Sequence, residues 1–208
     1  VPAGVFVTLY SLKPRFQQLL RPSVAALARA GVTANQVTLA AALGSVLIGA
    51  AVAAGASTRW PFLLLPLWLF LRMALNAVDG MLAREFGQKS RLGAYLNELS
   101  DLISDAALYA PFALLSPFGA FWVGCVILLA WLGEFAGVLG PMIGASRRYD
   151  GPMGKSDRAL GFGALALWVG LGGPLPGWSA VFLMVLAVLI GLTVVNRVRA
   201  GLAEANAA

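Results

Sequence analysis

The chain has 208 residues, 60% of them hydrophobic and 12% charged, with a formal net charge of +6. Soluble domains carry about 25% charged residues, so this composition excludes an ordinary soluble domain and fits a membrane protein. A lone cysteine and no histidine exclude a disulfide framework within the chain, a thiolate zinc site and the commonest general base. Residues 1–32 place Lys13, Arg15, Arg21 and Arg29 among Leu, Phe and Val, with Pro14 and Pro22 expected to break the stretch into short pieces. This reads as an N-terminal amphipathic segment lying on the bilayer surface, without a cleavable signal peptide. Residues 30–58 are uncharged and predict a first transmembrane helix from about Asn35 to Ala54, with Thr33 and Asn35 as candidate caps.

A second span follows Trp60 and runs to about Arg84, carrying Arg72, Asn76 and Asp79. A third runs from about Arg91 to Leu115, and a turn at Ser116–Gly119 leads to a fourth, from about Phe121 to Gly140, with Glu134 inside it. The polar link Ser146–Arg158 precedes residues 159–196, uncharged and too long for one helix. GGPLPG at 172–177 divides them into two further spans. The predicted fold is an all-α integral membrane protein: an interfacial segment at 1–32, a six-helix transmembrane domain at 33–200 and a short tail at 201–208.

All but Arg59 and Arg72 of the 15 basic residues fall in the N-terminal segment, the 84–91 and 147–158 links and the C-terminal end. The positive-inside rule therefore places both termini and both links in the cytoplasm of a multi-pass inner-membrane protein. The same scatter of basic residues between apolar spans speaks against nucleic acid as a partner.

Polar, acidic and small residues recur at helical spacing between Asn76 and Asp105. Asn76 and Asp79 are three apart, and Asn97, Asp101 and Asp105 are each four apart, so each set shares one helix face. Ionisable groups within spans are costly and mark a site or a pathway. The offered alternative is structural, with Asp79 pairing with Arg72 or Arg84 for packing. Two faces bearing oxygen ligands, joined by a basic link, suit hard cations and phosphates.

The run Asn76-x2-Asp79-Gly80-x2-Ala83-Arg84-x8-Gly93-x3-Asn97-x3-Asp101 resembles the signature of the CDP-alcohol phosphotransferase (CDP-alcohol phosphatidyltransferase) family, D-x2-D-G-x2-A-R-x8-G-x3-D-x3-D. Every spacing fits; the two departures are Asn at 76 and 97. GVTANQVT at Gly31–Thr38 is a looser match, with Ala34 where the family usually has Pro. The branch it resembles most contains bacterial phosphatidylglycerophosphate and phosphatidylinositol-phosphate synthases. The resemblance implies a divalent-metal-dependent catalytic domain that transfers a phosphatidyl group from a CDP-alcohol, CDP-diacylglycerol first among them, to an alcohol in phospholipid biosynthesis, releasing CMP. It implies Asn76, Asp79, Asn97 and Asp101 as ligands of one or two Mg2+ or Mn2+ ions; Asp105, one turn beyond Asp101 on the same face, is a further candidate to restore the charge that the two Asn lack. Gly80, Ala83, Arg84 and Gly93 become the nucleotide and phosphate contacts, and Asp101 the general base.

Arg148 and Lys155, in a loop shaped by Gly151, Pro152 and Gly154, are candidates for an acceptor that itself bears phosphate; membrane topology alone accounts for them equally. The family also implies a homodimer. Because Asn cannot compensate charge, the alternatives are a catalytically impaired relative that binds CDP-lipid or a partner, and, more remotely, a small transporter. A transporter predicts polar residues reaching both faces, whereas residues 106–133 are uncharged.

Overall fold

The computed structural model describes residues 13–207, which form seven α-helices and, among the described residues, no strand. They are α1 (Lys13–Arg29), α2 (Ala34–Ala54), α3 (Leu64–Glu85), α4 (Arg91–Tyr109), α5 (Gly119–Leu139), α6 (Lys155–Gly170) and α7 (Val181–Ala207). Residues 1–12 of the expected interfacial segment lie outside the described residues.

The stretch expected to break at Pro22 is a single helix. Pro22 lies inside α1 on its exposed side, so the hydrogen bond it removes is lost at the surface. The opposite face is held by Val24, fully buried in a cluster with Val37, Val78, Met81 and Leu82. α2 starts with a capping box: Thr33 Oγ1 accepts from Gln36 N at 3.2 Å, and Gln36 Oε1 accepts from Thr33 N at 2.9 Å. Thr33 is therefore the cap, and Asn35 lies within the first turn.

α4 stops at Tyr109, short of Leu115. Pro111 has no N–H to continue the ladder, and the chain tightens into a 3-10 turn over Ala110–Leu114. At the other end of the chain, α7 continues through the residues expected to be a tail, and Glu204 on it receives hydrogen bonds from Ser146 and Arg148.

Among the described residues, four helical segments are long and apolar enough to cross a membrane: Ala34–Ala54, Trp60–Glu85, Gly119–Ile143 and Gly177–Ala207. α4 has too polar a face and α6, at 16 residues, is too short to qualify by length and composition alone. Leu43, Leu67, Phe70, Phe121, Leu128 and Val188 are exposed, which an apolar solvent permits and water does not.

An aromatic core lies beneath the polar residues. Tyr109 stacks on Phe162 with centroids 3.8 Å apart, and Phe112 meets Phe62 and Phe162 edge-on at 5.0 and 5.3 Å. α2 crosses α4 at Gly49, where a Cβ would fall 2.1 Å from the Ala107 carbonyl oxygen. Only glycine permits that approach, the small-residue contact by which helices associate in lipid. It brings the two sides of the site together.

Candidate active site

A cleft of about 450 Å3 opens where the start of α2, the end of α3 and the start of α4 meet. Asn35 and Thr38 line it from α2; Asp79, Gly80, Ala83 and Arg84 from α3; Gly93, Asn97 and Glu98 from α4; and Arg147 from the later link. Six of the residues marked by the sequence thus share one cleft. Asn76 and Asp101 are not part of its lining; they meet across α3 and α4, with Asn76 Nδ2 donating to Asp101 Oδ1 at 3.4 Å.

The two signature glycines shape the wall by what they lack. A Cβ on Gly80 would stand 3.0 Å from Arg84 Nη2, and one on Gly93 would stand 2.8 Å from Asn35 Oδ1. Ser90 caps α4 by accepting from Gly93 N at 2.9 Å, which sets the angle at which α4 leaves the link. Gln88 ties that link to α2, its Oε1 accepting from Ala34 N at 2.7 Å and its Nε2 donating to Val32 O at 3.3 Å. Sequence reasoning missed Gln88, Thr38 and Arg147, whose partners are far away in the chain.

Asp79 is buried, and Thr38 Oγ1 donates to its Oδ2 at 2.8 Å. Neither Arg72 nor Arg84 pairs with it. Arg72 instead reaches α4, giving Nη1 to Asp105 Oδ1 at 2.6 Å and Nη2 to Asp101 Oδ1 at 3.1 Å. Arg158 Nη2 takes the other Asp105 oxygen at 3.1 Å and Glu134 Oε1 at 3.0 Å. Arg197 closes the chain, with Nη1 3.4 Å from Glu134 Oε2 and donating to Gly133 O at 2.6 Å. Both oxygens of Asp105 are thereby committed to guanidinium groups, and Glu134 joins the same internal network.

Lys155, the first residue of α6, lies against Asp101 Oδ1. Arg147 holds Glu98, with Nη2 2.9 Å from Oε2. Arg148 lines the separate apolar groove between α5 and α7 rather than the cleft, and is clasped by Asp150 (Nε–Oδ2 2.9 Å) and by Glu204. Burial pushes the Asp150 carboxyl up, but the Arg148 hydrogen bonds outweigh it and hold it below its ordinary value. That clasp is intact above the usual carboxylate range and opens as pH falls through the lowered value. Of the two acceptor candidates, the structure brings Lys155 to the signature residues and Arg148 elsewhere.

Among the described residues, no three His, Cys, Asp or Glu side chains converge as a metal cluster. Two carboxylates and two amides remain at the signature positions, and hard cations accept amide as well as carboxylate oxygen.

The sequence profile described as CDP-alcohol phosphatidyltransferase matches residues 31–195. Inner membrane protein YnbA of Escherichia coli is 47% identical over 193 residues, covering 93% of this chain and 96% of that protein. A phosphatidylinositol phosphate synthase of Streptomyces avermitilis is 36% identical over 100 residues, covering 48% of this chain and 39% of its own length. The fold is shared with the crystal structure of Mycobacterium tuberculosis phosphatidylinositol phosphate synthase (PgsA1) in complex with manganese and citrate. The TM-score is 0.69 at 21% identity, over 87% of this chain and 88% of that one. With the profile spanning most of its length, the chain belongs to the CDP-alcohol phosphatidyltransferase family and is a membrane transferase.

Proposed function

We propose that the protein transfers a phosphatidyl group from CDP-diacylglycerol to an alcohol acceptor and releases CMP, as a step of phospholipid biosynthesis. The observation that carries this is the single cleft uniting Asp79, Gly80, Ala83, Arg84, Gly93 and Asn97. The Arg84 guanidinium lies over Gly80, in the space that a side chain there would take, and can engage phosphate through two parallel donors. A divalent cation, Mg2+ or Mn2+, would be held by Asp79 and Asp101 with the amide oxygens of Asn76 and Asn97, supplying positive charge for the pyrophosphate. The manganese in the PgsA1 complex supports this reading.

Asp101 is assigned as the group that takes the proton from the acceptor hydroxyl, with Lys155 and Arg72 fixing its orientation. Arg84, Lys89 and Arg147 line the cleft and make its cytoplasmic mouth basic, which suits an anionic donor or a phosphorylated acceptor. The experiment is CMP release from CDP-diacylglycerol against a panel of neutral and phosphorylated alcohols, with and without Mg2+ or Mn2+. Release with one acceptor establishes the reading; CMP binding without release from any acceptor indicates an impaired relative.

In the same proposal, α4 and α6 cross the bilayer beside the four apolar helices, α1 lies at the cytoplasmic surface, and the cleft opens to the cytoplasm. Their polar groups are satisfied inside the bundle, as a span in lipid requires. Cysteine introduced at exposed Lys89 or Tyr149 should react with an impermeant maleimide only in inside-out vesicles. Labelling of either from the periplasmic side contradicts this orientation.

A further inference from the structure

Resting on the transferase reading above, we infer that this site holds one divalent cation, because Asn76 and Asn97 remove the charge that a second ion would balance and the Lys155 ammonium occupies Asp101. The first ground is occupancy. Asp101 Oδ1 already accepts from Arg72 Nη2 at 3.1 Å and from Asn76 Nδ2 at 3.4 Å, and Lys155 lies against the same oxygen. Three donors take up both lone pairs of Oδ1, so Oδ2 is the one Asp101 oxygen left open to an ion.

The second ground is the chemistry of residue 76. An aspartate 3.4 Å from Asp101 would repel it unless a cation stood between them. Asparagine instead donates directly and joins α3 to α4 without an ion. Asn97, one turn before Asp101 on α4 and lining the cleft, likewise puts an uncharged amide at a signature carboxylate position.

Charge balance supplies the third. Arg72, Lys155, Arg158 and Arg197 face Asp101, Asp105 and Glu134, and buried Asp79 brings the carboxylates to four, so the set is neutral before any ion enters. Aspartates at 76 and 97 would add two negative charges, the equivalent of one divalent ion. One ion here therefore leaves the same net charge for the pyrophosphate as two ions would in a site with all four carboxylates.

Finally, Lys155 is placed by a built loop. Gly151, at φ +128°, packs where a Cβ would come within 2.6 Å of Thr193. Met153 N donates to Thr193 Oγ1 at 2.9 Å, and Gly154 N donates to Asp157 Oδ2 at 3.0 Å, starting α6 at Lys155. The ammonium acts through Asp101 and is a positioning group.

The test is a count of bound Mn2+ by electron paramagnetic resonance, with the full chain in nanodiscs and CMP present. The wild-type protein should bind one Mn2+ per chain, without the broadening that two adjacent ions produce. The triple variant Asn76→Asp, Asn97→Asp, Lys155→Met should bind two, with that broadening. Two ions in the wild type overturn this inference and leave the transferase reading standing. No bound ion overturns both. A folded triple variant that still binds one ion removes the role given to Lys155, and if that variant fails to fold, the wild-type count decides.

Discussion

Asp79→Asn should lower CMP release by about 10²- to 10³-fold, the usual scale for removing one preorganised charge partner from a transferring group. Asp79 is the carboxylate remaining in the first signature pair, buried in α3 at the cleft with 4% of its surface exposed. An asparagine can still accept from Thr38 Oγ1 at 2.8 Å, so α2 and α3 keep their contact and the variant should extract and melt as the wild type does. Thr38→Val removes the donor and leaves the carboxylate, and should cost about 10-fold in the manner of other groups that orient a metal ligand. Turnover at the wild-type rate in Asp79→Asn would end the assignment of Asp79 to the reacting phosphates.

Asp105→Asn should act on stability instead. Its oxygens lie 2.6 Å from Arg72 and 3.1 Å from Arg158, with the three side chains at most 5% exposed. Removing the shared anion strands two guanidinium groups, and breaking a buried ion pair from one side costs about 3–5 kcal/mol. Thermal unfolding in detergent should show a loss of that order, and adding Arg158→Met should recover part of it, because neighbours in one network are not additive. The metal concentration for half-maximal activity should stay unchanged in the folded fraction. A shift in that concentration without a loss of stability would return Asp105 to the metal site.

The contrast between these two aspartates marks what was legible in the sequence. Helical spacing set Asn76 with Asp79 and Asn97 with Asp101 on two helix faces, because a helix face is a local property of the chain, and the family signature pointed to Gly80, Ala83, Arg84 and Gly93; six of these residues share one cleft. The start of α2, and the turn at Ser116–Gly119, were likewise written in caps, prolines and glycines. Partner choice was not legible. Thr38 lies 41 residues from Asp79, and Arg158 lies 53 from Asp105, so no periodicity connects them. Arg148 was a candidate anion contact from the glycine- and proline-shaped loop that carries it, and its acidic partner Glu204, 56 residues away, fell in what read as a tail. Pro22 misled in the other direction: a local breaker was overridden by the burial of Val24 on the far face of α1. α4 and α6, the two expected spans that do not qualify, are the ones that carry Asp101, Asp105, Lys155 and Arg158, so the chemistry that makes them useful is what weakens their hydropathy signal.

The loop seated on Thr193 also orders events during biosynthesis. Chains emerge at about 5–20 residues per second, so Asp105 is made about 3–10 seconds before Arg158. During that interval Arg72 is its one available partner. Thr193 and Arg197 emerge later still, on the last helix, and they fix the Lys155 loop and Glu134 respectively. The residues of the cleft are nearly all translated first, yet the charge pattern around them is completed by the final helix to leave the ribosome. A nascent chain therefore holds the α3–α4 half of the cleft in an immature electrostatic state until α7 is made.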